Sequence, residues 1–267
     1  MGLKKWTMMF SAAAAALIAP VPALGQADNQ AAPEGSAAEA PASPITITGN
    51  VALVSQYRLR GVSLSDEKPA LQGTITAIHD SGFYAGTFAS SLSGYGSVGG
   101  ANLELDAFAG YATQVGKVTL DAGVFWYLYP GTDRTDFVEI YGSVSAPVGP
   151  VSAKLGAYYA PERDSAVLGN GDNLYLYLDG NSKIPSTPVT LKAHVGRSAG
   201  KGTYLSGPDG TIIDWMVGAD GAIHGLTLGV SYVDTDIGRT EGDLFYNGIG
   251  GHNIVDGAVL LSITASF

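Results

Sequence analysis

Alternation with a period of two, running to an aromatic last residue, constrains this chain more than any motif in it. Counting back from Phe267 in twos gives Ala265, Ile263, Leu261 and Val259, all apolar, with Ser266, Thr264, Ser262 and Leu260 between them. Successive side chains of a strand point to opposite sides, so the segment has one apolar and one largely hydroxylated face. The same pattern recurs from Ile45 onward. Ile45, Ile47, Val51, Leu53, Tyr57 and Leu59 share one face of a first strand, against Thr46, Thr48, Asn50, Gln56, Arg58 and Arg60. Leu71, Ile75 and Ala77 oppose Gln72, Thr74 and Thr76; Leu103, Leu105, Ala107 and Ala109 oppose Asn102, Glu104 and Asp106. Val118, Leu120, Val124 and Trp126 oppose Thr119, Asp121, Tyr127 and Tyr129, and Val138, Ile140 and Val144 oppose Glu139, Tyr141 and Ser143. Leu174, Leu176 and Leu178 then oppose Tyr175, Tyr177 and Asp179, and Leu191, Ala193 and Val195 oppose Lys192 and His194. Only Gly82 to Leu92 is ambiguous, because Phe83 and Tyr84 are adjacent.

The connections choose among all-β architectures. Short turns (79–82, 115–117, 147–150, 221–225, and a longer one at 180–188) alternate with long polar loops such as 61–68, 160–172, 200–210 and 234–253. Short turns on one rim and long loops on the other are the habit of outer-membrane barrels, and a soluble sandwich has no cause for it. The expectation is an all-β chain, an antiparallel transmembrane β-barrel of about 12 strands with its apolar face to lipid and both termini on the short-turn, periplasmic rim. The last strand closed by Phe267 resembles the C-terminal signal read by the barrel-insertion machinery, which makes that machinery, with outer-membrane lipid, an expected partner. Aromatic residues near strand ends (Tyr57, Tyr111, Trp126, Tyr129, Tyr158, Tyr159, Trp215 and Tyr232) are candidates for interfacial girdles wherever they face lipid.

The other end of the chain agrees. Lys4 and Lys5 precede an apolar run over 6–19, interrupted by Pro20 and Pro22. That run is too short to span a bilayer, which takes about 20 residues. Residues 1–25 therefore read as a signal peptide, with cleavage after Gly25 or Ala27, and the protein as exported. Residues 26–44 are Ala-, Pro-, Glu- and Ser-rich and read as a disordered periplasmic leader; 45–267 form the barrel. No cysteine occurs among the 267 residues, so an exported chain of this kind has no disulfide framework. A net charge of −10 argues against nucleic acid as a partner.

The stretches Gly49 to Asp66, Pro69 to Gly73 and Gly82 to Ser90, followed by Leu103 to Asp106 and Gly110–Tyr111, resemble the signature of the TorF-type porins of proteobacteria. That resemblance implies an outer-membrane, porin-like barrel; it implies no particular substrate.

Inward-facing polar residues are the candidate functional set. Arg58 and Arg60 are expected to project inward from the first strand and Glu104 and Asp106 from a later one, with Gln56, Glu139, Lys154, Lys192 and Asp214 as further pore-lining candidates. Such charges would set the ion selectivity of a channel; equally, they would fill and stiffen a closed interior, and a loop folded into the lumen stays open as an alternative. The function expected is passive diffusion of small hydrophilic solutes, with a closed structural or adhesive barrel acting through its external loops as the alternative. No cofactor or catalytic site is expected. Gly94 to Gly99 has the letters of a dinucleotide fingerprint but lies between strands with no helix to follow. A Ser-His or Asp-His site would need one of His79, His194, His224 or His252, and His79 and His224 fall at expected periplasmic turns, remote from an external site. Asp234, Asp236, Glu241 and Asp243 could offer oxygens to calcium but lack the full loop pattern.

Overall fold

In lipid each backbone N–H and C=O must find a partner within the protein, and a sheet does this only by closing on itself. The computed structural model describes residues 43–93, 100–165, 167–201, 203–246 and 254–267. The signal peptide, the leader up to residue 42, the Gly94 to Gly99 segment and His252 lie outside the described residues. In chain order the strands are β1 Ile45–Val54, β2 Arg58–Leu59, β3 Val62–Ser63, β4 Ala70–His79, β5 Phe83–Ser91, β6 Leu103–Val115 and β7 Val118–Tyr127. They continue as β8 Phe137–Val148, β9 Val151–Arg163, β10 Gly171–Lys183, β11 Val189–Gly200, β12 Thr211–Ile223, β13 Leu226–Thr235 and β14 Ala258–Ser266, with one helix, α1 Arg239–Tyr246, between the last two.

β1 and β4 to β14 form a closed, antiparallel, 12-stranded barrel in which each strand pairs with its sequence neighbours and β14 returns to β1. The short pair β2–β3 stands apart from it. Closure is made by register Asn50↔Ser266 to Val54↔Ser262. It is extended by reciprocal backbone bonds, Gly49 N to Phe267 O at 2.9 Å and Phe267 N to Gly49 O at 3.0 Å. A Cβ on Gly49 would lie 2.7 Å from the Phe267 ring, so the terminal aromatic covers a bare stretch of β1.

The faces follow the alternation. Ile75, Leu176, Val217 and Leu261 point outward and are about half exposed, as are most apolar residues of the same parity. Tyr111, Trp126, Tyr159 and Tyr232 are on this outer face; Tyr57, Tyr129 and Tyr158 are buried inside and take no part in a girdle. Tight turns join β4 to β5, β6 to β7, β8 to β9 and β12 to β13, and the described ends of the barrel lie at that rim. His224 and Gly225 both take positive φ, 48° and 81°, the hairpin geometry that matches strand twist. The opposite rim carries the long connections, including α1.

Large inward aromatics lie over glycines of adjacent strands. A Cβ on Gly110 would collide with Tyr84, on Gly123 with Tyr141, on Gly156 with Tyr177 and on Gly196 with Tyr175. The 37 glycines and 14 tyrosines of the sequence are thus partly one feature, large rings laid flat on a wall with no side chain beneath them.

The face assignment is testable. An arginine at outward Ile75 or Leu176 is expected to cost about 2–4 kcal/mol near the bilayer midplane and to abolish membrane yield. Thr74, an inward position that the alternation alone would offer as a tolerant control, is buried; Thr119, half-buried near the short-turn rim, is the better control. Thr119→Arg is expected to assemble normally in outer-membrane fractions; equal yields for all three variants would refute the assignment.

Candidate functional site: a charged hairpin inside the barrel

The first strand is shorter than its alternation suggests. β1 ends at Val54, and Arg58 and Arg60 do not lie on it; they belong to a hairpin that turns back into the lumen. The reason is local: Arg60 and Gly61 both take positive φ, 50° and 82°, making a two-residue turn that pairs Leu59 with Val62. Gly61 packs so closely on Thr235 that a Cβ would clash with it. Tyr57 and Leu59, expected on the lipid face, are consequently buried with Val62 and Leu64 in the interior.

Inside, the hairpin meets the barrel wall through charge. Arg60 Nη2 donates to both carboxylate oxygens of Glu139 at 2.7 Å, and Nη1 donates to Asn173 Oδ1 at 3.1 Å. Its guanidinium lies 4.2 Å from the Tyr175 ring centroid and 5.7 Å from that of Tyr158. Burial works against the Arg60 charge, but Glu139 outweighs it and holds the group above its ordinary range. Tyr127 OH donates to Glu139 Oε2 at 2.9 Å and Tyr57 OH to Glu104 Oε1 at 3.0 Å. Glu104, Asp106 and Glu139 are 0% exposed, so water is excluded at this level. Glu104 Oε2 and both oxygens of Asp106 meet no donor in hydrogen-bonding geometry among the described residues.

Towards the long-loop rim the hairpin is held by the last connection. Arg58 Nη1 donates to Gly61 O at 2.8 Å and to Asp256 O at 2.7 Å, Arg58 Nε donates to Gln56 Oε1 at 2.9 Å, and Ser63 N donates to Ile254 O at 2.8 Å. Beside Gln56 and Arg58 a cavity of about 20 Å³, bounded also by Gln72, Lys192 and Ser231, has room for a single water molecule.

The remaining candidates have wall partners of their own, and Asp214 also packs on Gly61 of the hairpin. Lys192 Nζ pairs with Asp220 Oδ1 at 2.6 Å. Lys154 stands 5.8 Å from the Tyr177 ring centroid. Asp214 Oδ1 accepts from Tyr175 OH at 3.1 Å and lies 3.1 Å from His194 Nε2, whose Nδ1 is 2.6 Å from Asp179 Oδ1. Tyr84 OH donates to Asp121 Oδ1 at 2.6 Å and bonds the Tyr141 hydroxyl. Of the nine candidates, the fold brings Arg60 and Glu139 into contact, keeps Glu104, Asp106 and Asp214 adjacent to the hairpin, sets Lys192 at the cavity beside Gln56 and Arg58, and leaves Lys154 in another network. The alternation also marks Tyr175, Tyr177 and Asp179 as inward, a signal that singling out charges alone passes over. Asn173, two residues before Tyr175, carries the same inward parity. On the loops, Asp234 accepts from Tyr232 OH and Thr235 N, and Asp236 from Ile213 N, so these oxygens are engaged by the chain itself.

Two solved structures share the architecture. The NanC porin superposes with a TM-score of 0.53 at 11% identity, covering 83% of this chain and 99% of the other. The KdgM porin gives 0.52 at 10% identity, covering 82% and 99%. No curated protein matches the chain. Residues 38–267 match the family Gcw_chp, described as a bacterial protein of unknown function.

The Arg60–Glu139 contact sets a measurable coupling. Arg60→Ala leaves a buried carboxylate unpaired and is expected to destabilise by about 3–5 kcal/mol. Adding Glu139→Ala should recover part of that loss. A double-mutant cycle read by unfolding in detergent measures the difference, and strict additivity would mean that the two side chains do not interact in solution.

Proposed function

We propose, from the premise that the chain belongs to the Gcw_chp family of bacterial proteins, that it is an outer-membrane channel of porin type for small hydrophilic solutes. The observation that carries the proposal is the closed 12-stranded barrel with an apolar outer face and a polar inner wall. The architecture shared with two porins and the resemblance to TorF-type porins support it. On this reading the signal peptide is removed, both termini are periplasmic and Phe267 is read by the insertion machinery. The conformation described is a closed one, with the 55–69 segment as the obstruction and the periplasmic half of the lumen, lined by residues such as Thr48, Asn50, Thr119, Ser143 and Asn181, as its open vestibule.

The buried hairpin favours a second reading, in which the barrel is permanently filled and acts as a structural element through its external loops. Planar-bilayer recording separates the two. Rare or brief openings are expected from the wild-type protein, and steady discrete steps after residues 56–66 are replaced by a short Gly-Ser linker. Folded, inserted protein of both forms that never conducts would discard the channel and leave the structural barrel.

A further inference from the structure

The hairpin is cationic and the wall around it is acidic, and that asymmetry identifies a ligand class. Glu104 and Asp106 on β6 and Glu139 on β8 face the hairpin from one side, all fully buried. Among the described residues only Glu139 has a cation, Arg60. The cations of the wall are committed elsewhere: Lys192 to Asp220, His194 to Asp179 and Asp214, and Lys154 in the field of Asp121 and Asp179. Glu139 beside Tyr127 and Tyr158, with Glu104 and Asp106 beside Tyr57 and Tyr129, makes a site for a cation with a flat, polarizable face, because the rings attract positive charge and the carboxylates accept its N–H bonds. The structure contains one such occupant, the guanidinium of Arg60 itself, with its two nitrogens spread over Glu139 and Asn173 and its plane against Tyr175. Glu104 Oε2 and both oxygens of Asp106, which lie against each other on β6, take no donor from Arg60 and mark acceptor capacity that it does not use.

We propose that Glu104, Asp106 and Glu139 form the cation-binding constriction of the channel, that Arg60 occupies it as a tethered mimic of the solute, and that the solutes carried are organic cations bearing guanidinium or primary ammonium groups. The inference rests on the channel reading and names its substrate class. A divalent metal would fit less well, since the described residues bring no three carboxylate or imidazole ligands together at metal-binding spacing. An anionic solute would face three carboxylates once the hairpin moved aside.

The test uses the full chain with residues 56–66 replaced by a Gly-Ser linker, and Arg60→Gln as a second variant should the first fail to fold. Folding is checked by heat-modifiable gel mobility. Under a KCl gradient the reversal potential is expected near the potassium limit, and guanidinium or argininamide added to one side is expected to interrupt the current. Neutralising the wall in the same background, with Glu104→Gln, Asp106→Asn and Glu139→Gln, should abolish the selectivity and raise the blocking concentration by roughly tenfold or more. A conducting variant that is non-selective or anion-selective, or is blocked equally with and without the three carboxylates, overturns the cation inference and leaves the channel standing. A folded, inserted variant with no current overturns the channel reading and this inference with it. A second, current-free readout comes from Leu64→Cys, a unique thiol in a chain without cysteine and fully buried in the plug. Millimolar argininamide is expected to accelerate its labelling by a water-soluble maleimide in the otherwise unaltered protein. An unchanged labelling rate would mean that the solute does not displace the hairpin, which refutes the mimicry.

Discussion

Every other feature of this molecule depends on the seam between β1 and β14. A bilayer offers no water to an unpaired strand edge, so a sheet of eleven pairings is unusable without the twelfth. The seam is made from unremarkable residues: five paired positions in register, then Gly49 and Phe267 exchanging backbone bonds with the Phe267 ring lying over the glycine. It forms from the two ends of the barrel sequence and therefore closes only when all intervening hairpins have formed. That makes the terminal alternation, which ends on Phe267, the part of the sequence on which closure finally rests.

Once closed, the barrel has an interior to fill, and the chain fills it unevenly. Near the short-turn rim the wall carries hydroxyls and amides with partial exposure. Midway, rings in contact take over: Tyr141 and Tyr158 tilted with centroids 5.3 Å apart, Tyr175 and Tyr177 stacked at 5.9 Å, Tyr127 and Phe137 stacked at 4.3 Å. The hairpin rests on these rings, and the loops bearing Leu168, Leu205, Ile237 and Ile254 pack behind it towards the other rim. Lipid-facing stability and lumenal closure are thus carried by opposite faces of the same strands, so mutations on one face should report little about the other.

The barrel was legible because its signals are repetitive. Twelve alternating segments with short and long connections in turn leave few folds to choose from, and the inward parity of Glu104, Asp106, Glu139, Lys154, Lys192 and Asp214 follows directly. The hairpin was harder to read for a definite physical reason. From Ile45 to Arg60 the alternation lapses only briefly, with Ala52 and Val54 on the polar parity and Ser55 on the apolar one, yet the chain leaves the wall after Val54, and the hairpin turn rests on backbone dihedrals at Arg60 and Gly61 that hydrophobic periodicity does not encode. Arg-Gly flanked by Leu and Val was the available clue, since glycine at the second position suits a turn with positive φ. The partner choice of Arg60 was not readable at all, because 79 residues separate it from Glu139 and nothing local couples the two.

The chemical nature of that contact bears on why the lumen is closed this way. A permanent plug gains most from well-packed apolar side chains, since a buried ion pair contributes little net stability relative to a hydrophobic replacement of similar volume. The hairpin has apolar anchors of this kind in Leu59, Val62 and Leu64, all directed into the cluster formed with the outer loops. At its tip, facing Glu139 on the wall, it presents a guanidinium instead. A charge there is costly to desolvate, and it stays only while Glu139 answers it. What such a contact would offer a channel in exchange is replaceability: on the proposed reading, another cation arriving from the vestibule would take over the carboxylates, whereas no hydrophilic solute could take over a leucine's packing. The hairpin is tethered at both ends, at β1 and at β4, so it remains at high effective concentration and returns when the site is vacated. An ionic tip on an apolar stem is therefore suited to a plug that yields to one class of solute and reseals behind it.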